Sequence, residues 1–505
     1  MKKRNFSTAF LVLGLGLTLA PRGYADTAAP APDAAAPSSD QADLDQRVSA
    51  LEAKLATLSP APGTGLILKA DVSPYGGVGI YNSDGTYGIN FSGLAQEDSR
   101  NYLYDGLNSK TGLTAQPING FVLARARLQV DGYLGPRVHL RYQEDFSNNG
   151  SNSGVTGATG AAGGDGALLL DAYGELKLAP WTLLRVGQFK EPVDLERQRP
   201  TAALDFIQYS YTANLVVDRS EGALLEIADP RQIFYLAGGA FDGAGDAGST
   251  PVVQAYNSNK DAVAKLFLQP FNGDSSHALG DLGIGVAGTA GNHSGSPIFT
   301  YKSLGQQSVV TPDTGNAWTT AYLQGNGYRV APQAYWFLDN LSLLGEYVHE
   351  SESYRVPTQV NDYVADSEAW QVQGAWVITG EHTGYSGWRL DQNSNAWGGL
   401  ELVGRAQAAN YDENSVVTYN SNTSATVHSG GLIDPRASVT GLTSWSLGLN
   451  YIPVNDVEFL VDWDQTTFEN GGVNNLVGAG GHVVGTVQAN RPTEQALQIR
   501  GQFTF

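Results

Sequence analysis

Between Phe121 and Phe146 the sequence FVLARARLQVDGYLGPRVHLRYQEDF alternates polar and apolar side chains through two runs separated by Gly135-Pro136. Successive side chains of a strand point to opposite faces, so this is the pattern of a β-hairpin with two unlike faces. Arg125, Arg127, Gln129 and Asp131 share one face with Arg137, His139, Arg141 and Gln143. Val122, Ala124, Ala126, Leu128 and Val130 are expected on the other, continued by Val138, Leu140 and Tyr142. The fold must therefore offer apolar surroundings on one side of the sheet and water on the other.

The pattern recurs along the chain. Sixteen alternating segments are predicted as strands, from Tyr87–Gln96 through Val457–Asp464 to Glu494–Phe505. The connections alternate in length: Gly135-Pro136, Ala179-Pro180, Asp229-Pro230, Asp339-Asn340 and PVND are short, whereas 147–166, 190–221, 242–261, 290–326, 350–368 and 409–444 are long. Short turns at one end and long loops at the other are the habit of outer-membrane barrels. One connection, 378–396, falls where a short turn is expected and is long. A closed barrel is the β architecture that satisfies every backbone polar group in lipid. Its apolar face meets lipid, and Arg125, Arg127, Arg137 and Arg141 face a water-filled lumen.

A soluble sandwich also alternates, burying the apolar face instead. The end of the sequence, ALQIRGQFTF, argues for the barrel: Leu497, Ile499, Phe503 and Phe505 share one face, Gln498, Arg500, Gln502 and Thr504 the other. A last strand ending on Phe505 resembles the signal read by the outer-membrane barrel-assembly machinery. Trp181, Trp397, Tyr451 and Trp463 are candidates for the aromatic girdles. The 61 Gly and 24 Tyr, with only 16% charged residues, suit many strands and turns. There is no Cys, which is compatible with an oxidising compartment.

The first residues read as a secretory signal peptide, 1–25: basic MKKRNF, an apolar run too short to span a bilayer, and small residues before Ala25. Its removal, with Lys2, Lys3, Arg4 and Arg22, takes the formal charge from −20 to −24, which makes nucleic acid an implausible partner. An Ala/Pro-rich linker, 26–39, follows. Then Leu44, Val48, Leu51, Leu55 and Leu58 repeat at 4, 3, 4, 3, the rhythm of a coiled coil over 40–59, read as an oligomerisation helix. A second linker, 60–84, leads to the barrel at 85–505.

The third long loop, about 190–221, is the longest charged interruption. Its start, FKEPVDLER, and its end, ANLVVDRSEG, together with RARL at 125–128, TGEHTGY at 379–385 and the final Phe, resemble the phosphate-selective porin O/P family over residues 85–505. The resemblance implies a sixteen-stranded homotrimeric barrel in the outer membrane of a Gram-negative bacterium, acting as a passive channel without cofactor. It also implies a third loop folded inward as the constriction, with Arg and Lys guiding phosphate. The positions that match are Arg125, Arg127, Lys190 and Arg197. Arg199 and Arg219 are the loop's other cations. Guanidinium groups fork onto phosphate oxygens, and several weak sites in a row pass an anion without trapping it.

Other readings have sequence support of their own. Lys190, Arg197, Arg199 and Arg219 stand against Glu191, Asp194, Glu196, Asp205, Asp218 and Glu221, a net −2, which suits a general or cation-preferring porin. A barrel-anchored envelope tether would use the N-terminal helix. An outer-membrane hydrolase would need a Ser–His pair, for which His349 and His382 are the nearest candidates. His277, His293, His428 and His482 lie in loops without a carboxylate cluster at ligand spacing, so no metal site is expected.

Overall fold

The computed structural model describes residues 66–70, 77–105, 119–147, 168–243, 260–272, 278–294, 301–310, 322–355, 362–391, 397–412, 438–477 and 483–505. The expected signal peptide, first linker and coiled-coil helix, with Leu44, Val48, Leu51, Leu55 and Leu58, lie outside them. Sixteen strands form the wall. They are β1 (Tyr87–Asp105), β2 (Gly120–Leu134), β3 (Val138–Asp145), β4 (Leu168–Ala179), β5 (Thr182–Lys190), β6 (Arg219–Ala228), β7 (Phe234–Phe241) and β8 (Asp261–Leu268). Then follow β9 (Asp281–Asn292), β10 (Asn326–Leu338), β11 (Leu341–Arg355), β12 (Tyr363–Val377), β13 (Gly399–Asn410), β14 (Val439–Val454), β15 (Val457–Val477) and β16 (Glu494–Thr504). Each pairs antiparallel with the next, and β16 returns to β1, with Thr504 opposite Leu94 and Glu494 opposite Asp105.

The alternation fixes which face meets lipid. On β16, Phe503 and the following Phe505 are 52% and 58% exposed, while Gln498 and Arg500 are 0% and 1% exposed and point inward. Those inward groups lock the seam. Arg500 donates to both oxygens of Asp98 at 2.6 and 2.9 Å, and Gln96 donates to Gln502 at 2.5 Å. Phe505 exchanges two backbone hydrogen bonds with Gly93, and its ring lies where a side chain on Gly93 would stand.

Three expectations require correction. Part of the supposed linker 60–84 is strand: Leu66–Ala70 pairs with Val78–Asn82, which in turn pairs with the foot of β1, Val78 opposite Phe91. The reason is that β16 stops opposite Leu94, leaving the lower edge of β1 without a partner on that side. On β2 the outer face is not Val122 and Ala124 but Phe121 and Leu123, 80% and 43% exposed. A register shift against Gln96/Glu97 inserts one residue there and reverses the alternation above it. Finally, His293 does have carboxylate neighbours: Asp261 on Nε2 at 2.9 Å and Glu352 on Nδ1 at 2.7 Å.

Residues 378–391 of the long connection pack into the barrel, where a short turn was expected. Trp388 and Leu390 join Val377 and Ile452 in an apolar cluster, and Tyr385 stacks on Tyr335 of β10. Gly387, at φ +86, lets this segment pass against Ala203, where a Cβ would stand 2.9 Å away.

Candidate functional site: the constriction loop

Residues 191–218, between β5 and β6, fold into the lumen. Asp194 starts the single helical turn Leu195–Gln198 by accepting from the Arg197 N–H at 2.6 Å. Lys190 fastens the turn, its Nζ donating to the carbonyls of Arg197 and Arg199 at 2.5 and 3.2 Å. Glu196 accepts from both the N–H and the hydroxyl of Ser210, at 2.8 and 2.7 Å, closing the loop on itself.

Apolar and polar latches then dock the loop on the wall made by β8 and β10 to β15. Leu195 packs among Phe267, Tyr335, Phe337 and Leu344, and Phe206 against Ala375 and Val403. Burying side chains of this size contributes roughly 1.5–3 kcal/mol each. The loop's backbone groups, which no strand partner satisfies, are met by inward side chains. Leu195 N–H donates to Glu346 at 2.7 Å, Ile207 N–H to Asp462 at 2.6 Å and Tyr211 N–H to Gln407 at 2.8 Å. Arg329, Gln333, Arg405 and Asn450 donate to the carbonyls of Leu215, Val193, Gln208 and Asp205.

Docking polarises the loop. Glu191 faces Asp261, His293 and Arg329, Glu196 pairs with Arg405 at 3.2 Å, and Asp205 accepts from Gln373 at 2.8 Å. These acids thus face β8 to β14. On the opposite side, Arg125 and Arg127 of β2 approach Lys190 and Arg197 about the half-buried Tyr209. The guanidinium carbons of Arg197 and Arg125 stand 5.3 and 5.8 Å from its ring centre. Burial pushes the Tyr209 hydroxyl up, but the Lys190, Arg125 and Arg127 cations outweigh it and hold it below its ordinary value of 10. The cations therefore set the sign of the local balance against both burial and Asp218.

The eight cations singled out from sequence thus have different surroundings. Arg125 donates to Gln96 at 2.6 Å, and Arg127 to Asp145 and Thr201 at 2.8 and 3.0 Å. Arg197 donates to the Ala213 carbonyl at 2.5 Å and stands 3.4 Å from Asp218, with Nε unpartnered. Arg199 is neutralised by Asp205 through two bonds of 2.7 and 2.9 Å, and Arg219 by Asp171 and Asp218 at 2.7 and 2.8 Å. Asp218, despite burial, is held below the usual carboxylate range by Arg219, Arg197 and Lys190. Arg141 belongs to a separate compensated row on the same wall: Asp131 accepts from Arg141 and His139, each at 2.7 Å, and Glu175 meets His139 and Arg185, each at 2.8 Å. Arg137 sits exposed at the Gly135-Pro136 turn, donating to Leu178 at 3.3 Å, away from the loop.

The hairpin of Tyr301–Lys302 and Ser308–Val310 also reaches in, and sequence reasoning passed over it. Its Gln306 donates to Gln208 at 3.1 Å, and Asn214 donates to the Lys302 carbonyl at 3.1 Å. Burial and the Arg100 cation pull Lys302 down to about 8. Glu346 and Arg405 were missed as well. Glu346 had a signal, since it shares parity with Glu350 and Glu352 in GEYVHESES.

The family model of phosphate-selective porin O and P matches residues 104–475. The chain belongs to that family. It is a porin of the Gram-negative outer membrane. No curated protein matches the sequence. Among solved structures it is similar to the trimer form of OmpT of Vibrio cholerae (11% identity, 83% of this chain and 99% of that one, TM-score 0.46). It is also similar to the outer-membrane channel DcaP of Acinetobacter baumannii (13%, 83% and 97%, 0.47) and to Pseudomonas putida OprB at high pH (12%, 83% and 94%, 0.45). Among the described residues no group of His, Cys, Asp and Glu could hold a metal ion. His349 lies beside Tyr328 on the outer face and His382 beside Asp339 at an exposed turn.

Proposed function

We propose that this porin passes small anions, phosphate or polyphosphate among them, along the strip of Arg125, Arg127, Lys190 and Arg197. The observation that supports this is their convergence on Tyr209, across the loop from Glu191, Glu196 and Asp205, with Asp218 beside them shared between Arg197 and Arg219. Arg141 continues the path toward the short-turn end as a weaker, compensated station, with Arg137 at its mouth. Arg199 and Arg219 shape the loop and contribute field rather than contact. The chain acts as a passive channel without catalysis, as a homotrimer whose helix 40–59 adds to barrel–barrel contacts. Phe505, outward at the seam, serves as the handle for the barrel-assembly machinery.

The test is electrical. Purified protein in a planar bilayer, under a KCl gradient, should give a reversal potential on the anion side and chloride current blocked by low phosphate. Cation selectivity without block would favour the general porin. Deleting residues 26–62 should lower the temperature at which the trimer dissociates in detergent; unchanged trimers would remove the helix from the account.

A further inference from the structure

Below the loop, toward the short-turn end, a small, partly open pocket lies between Ala202–Asp205 of the loop, Ser386–Arg389 of the inward connection, and the walls of β13, β15 and β16. Its charges do not balance. Asp205 is neutralised by Arg199, and Arg389 is tied to Asp456 at 2.5 Å on the rim. That leaves Glu401 and Glu458, both lining the cavity, and neither forms an ion pair among the described residues.

Glu401 is 1% exposed. One of its oxygens accepts from Asn450 at 3.0 Å, and the other, Oε1, has no hydrogen-bond partner. Glu458 accepts from Gln502 at 2.7 Å and is partly open to the cavity. A buried acceptor without a donor is costly, and two mutually repelling carboxylates with no ion-pair contact of their own, reached by Arg199 and Arg500 only at longer range, add to it. The indole of Trp388 completes the wall. Its N–H is directed at the Glu401 carboxylate, and carboxylate oxygens with unfilled acceptor positions are the chemistry that recognises an ammonium group.

We infer that this cavity is a binding subsite for a primary ammonium group, carried by a small organic cation or zwitterion crossing the channel. The group enters from the open side near Glu458, donates to its free lone pairs and to Glu401 Oε1, and lies against Trp388. This assignment is independent of the anion strip. A solute that bears both charges would meet the strip first and this pocket second.

The experiment adds 1,4-diaminobutane to the short-turn side of single channels in a planar bilayer, with butane-1,4-diol as the neutral control. The expected result is concentration-dependent current block by the diamine, none by the diol, and a blocking constant weakened at least tenfold in Glu401→Gln/Glu458→Gln. Phosphate block, measured on the same channels, should be unchanged by that double variant, so this subsite and the anion strip fail separately. If the double variant does not insert, Glu458→Gln alone, at the open side, should weaken the block at least threefold. No diamine block, equal block by the diol, or block undiminished in the inserted variant would overturn the assignment.

Discussion

Raising the pH should loosen the constriction loop, and Glu191 is the main reason. Its carboxyl is 1% exposed, and neither oxygen has a hydrogen-bond partner. Burial, with Asp261 and Asp218 nearby, pushes it from an ordinary value of 4.5 to about 8, against the opposing pull of Arg329 and His293. A docked value above the free value means that docking is fully stabilised below pH 4.5 and loses stability as pH rises through the docked value. At ~1.4 kcal/mol per pH unit, the docked loop loses about 4 kcal/mol between pH 5 and 9.5, close to a thousandfold in population. The loss flattens above about pH 8, where both forms are ionised. His293 acts with the same sign: burial pulls it down, but Asp261 and Glu352 raise it to about 9 from 6.5, so its contribution disappears as pH rises over that interval. Asp218, held low, is lost only in acid below 3.8, outside this window. Single-channel recordings between pH 5 and 9.5 should show a quiet open level giving way to flicker, with the slope flattening above pH 8. Glu191→Gln keeps a neutral group of the same shape and should flatten the slope, leaving the parts due to His293 and to the loop carboxyl of Glu196, which burial also raises. A variant that tracks the parent channel at every pH would refute the reasoning.

Three further outcomes are expected. Replacing Arg125 and Arg127 with Ala removes two of the four cations about Tyr209, and the anion-to-cation permeability ratio should fall severalfold; an unchanged reversal potential would discard their role. Arg199→Ala strands the buried Asp205 carboxylate, and breaking such a pair costs about 3–5 kcal/mol, so the loop should become sensitive to added protease while the barrel resists. Gly93→Val puts a branched side chain where the Phe505 ring lies, overpacking the seam by about 1–3 kcal/mol. The temperature at which the folded barrel loses its fast gel mobility should drop, and an unaltered transition would mean that the ring simply moves aside.

The strand feet were legible and their upper ends were not, for a reason visible on β1. Expected as Tyr87–Gln96, it runs to Asp105, because above Gln96 its outward residues include Glu97, Ser99 and Asn101. Beyond the lipid the outer face no longer has to be apolar, so the alternation vanishes while the pairing continues. The same holds for β15, expected as Val457–Asp464 and continuing to Val477. The third loop was legible as a charged interruption, but its docking was not. Glu346, Gln407 and Asp462 lie 151, 196 and 255 residues from the loop groups they receive, and each looks like any inward polar position. His293 was misread for the same reason, its carboxylates being 32 and 59 residues away.

The loop's net charge of −2 points to a cation channel only if its charges are mixed. They are largely sorted: within one helical turn, adjacent Glu196 and Arg197 go to opposite sides, Glu196 to Arg405 and Arg197 to Tyr209, and Asp218, which stays on the cation side, is shared between Arg197 and Arg219. An ion crossing the constriction responds to the field along the side it touches, which decays within roughly 8–10 Å in physiological salt. Acids held beyond the loop backbone and paired with Arg405 or Arg199 contribute little to the strip at Tyr209. Selectivity in such a channel is set by how the loop's charges are sorted, a property of docking to which the sum over its residues is blind.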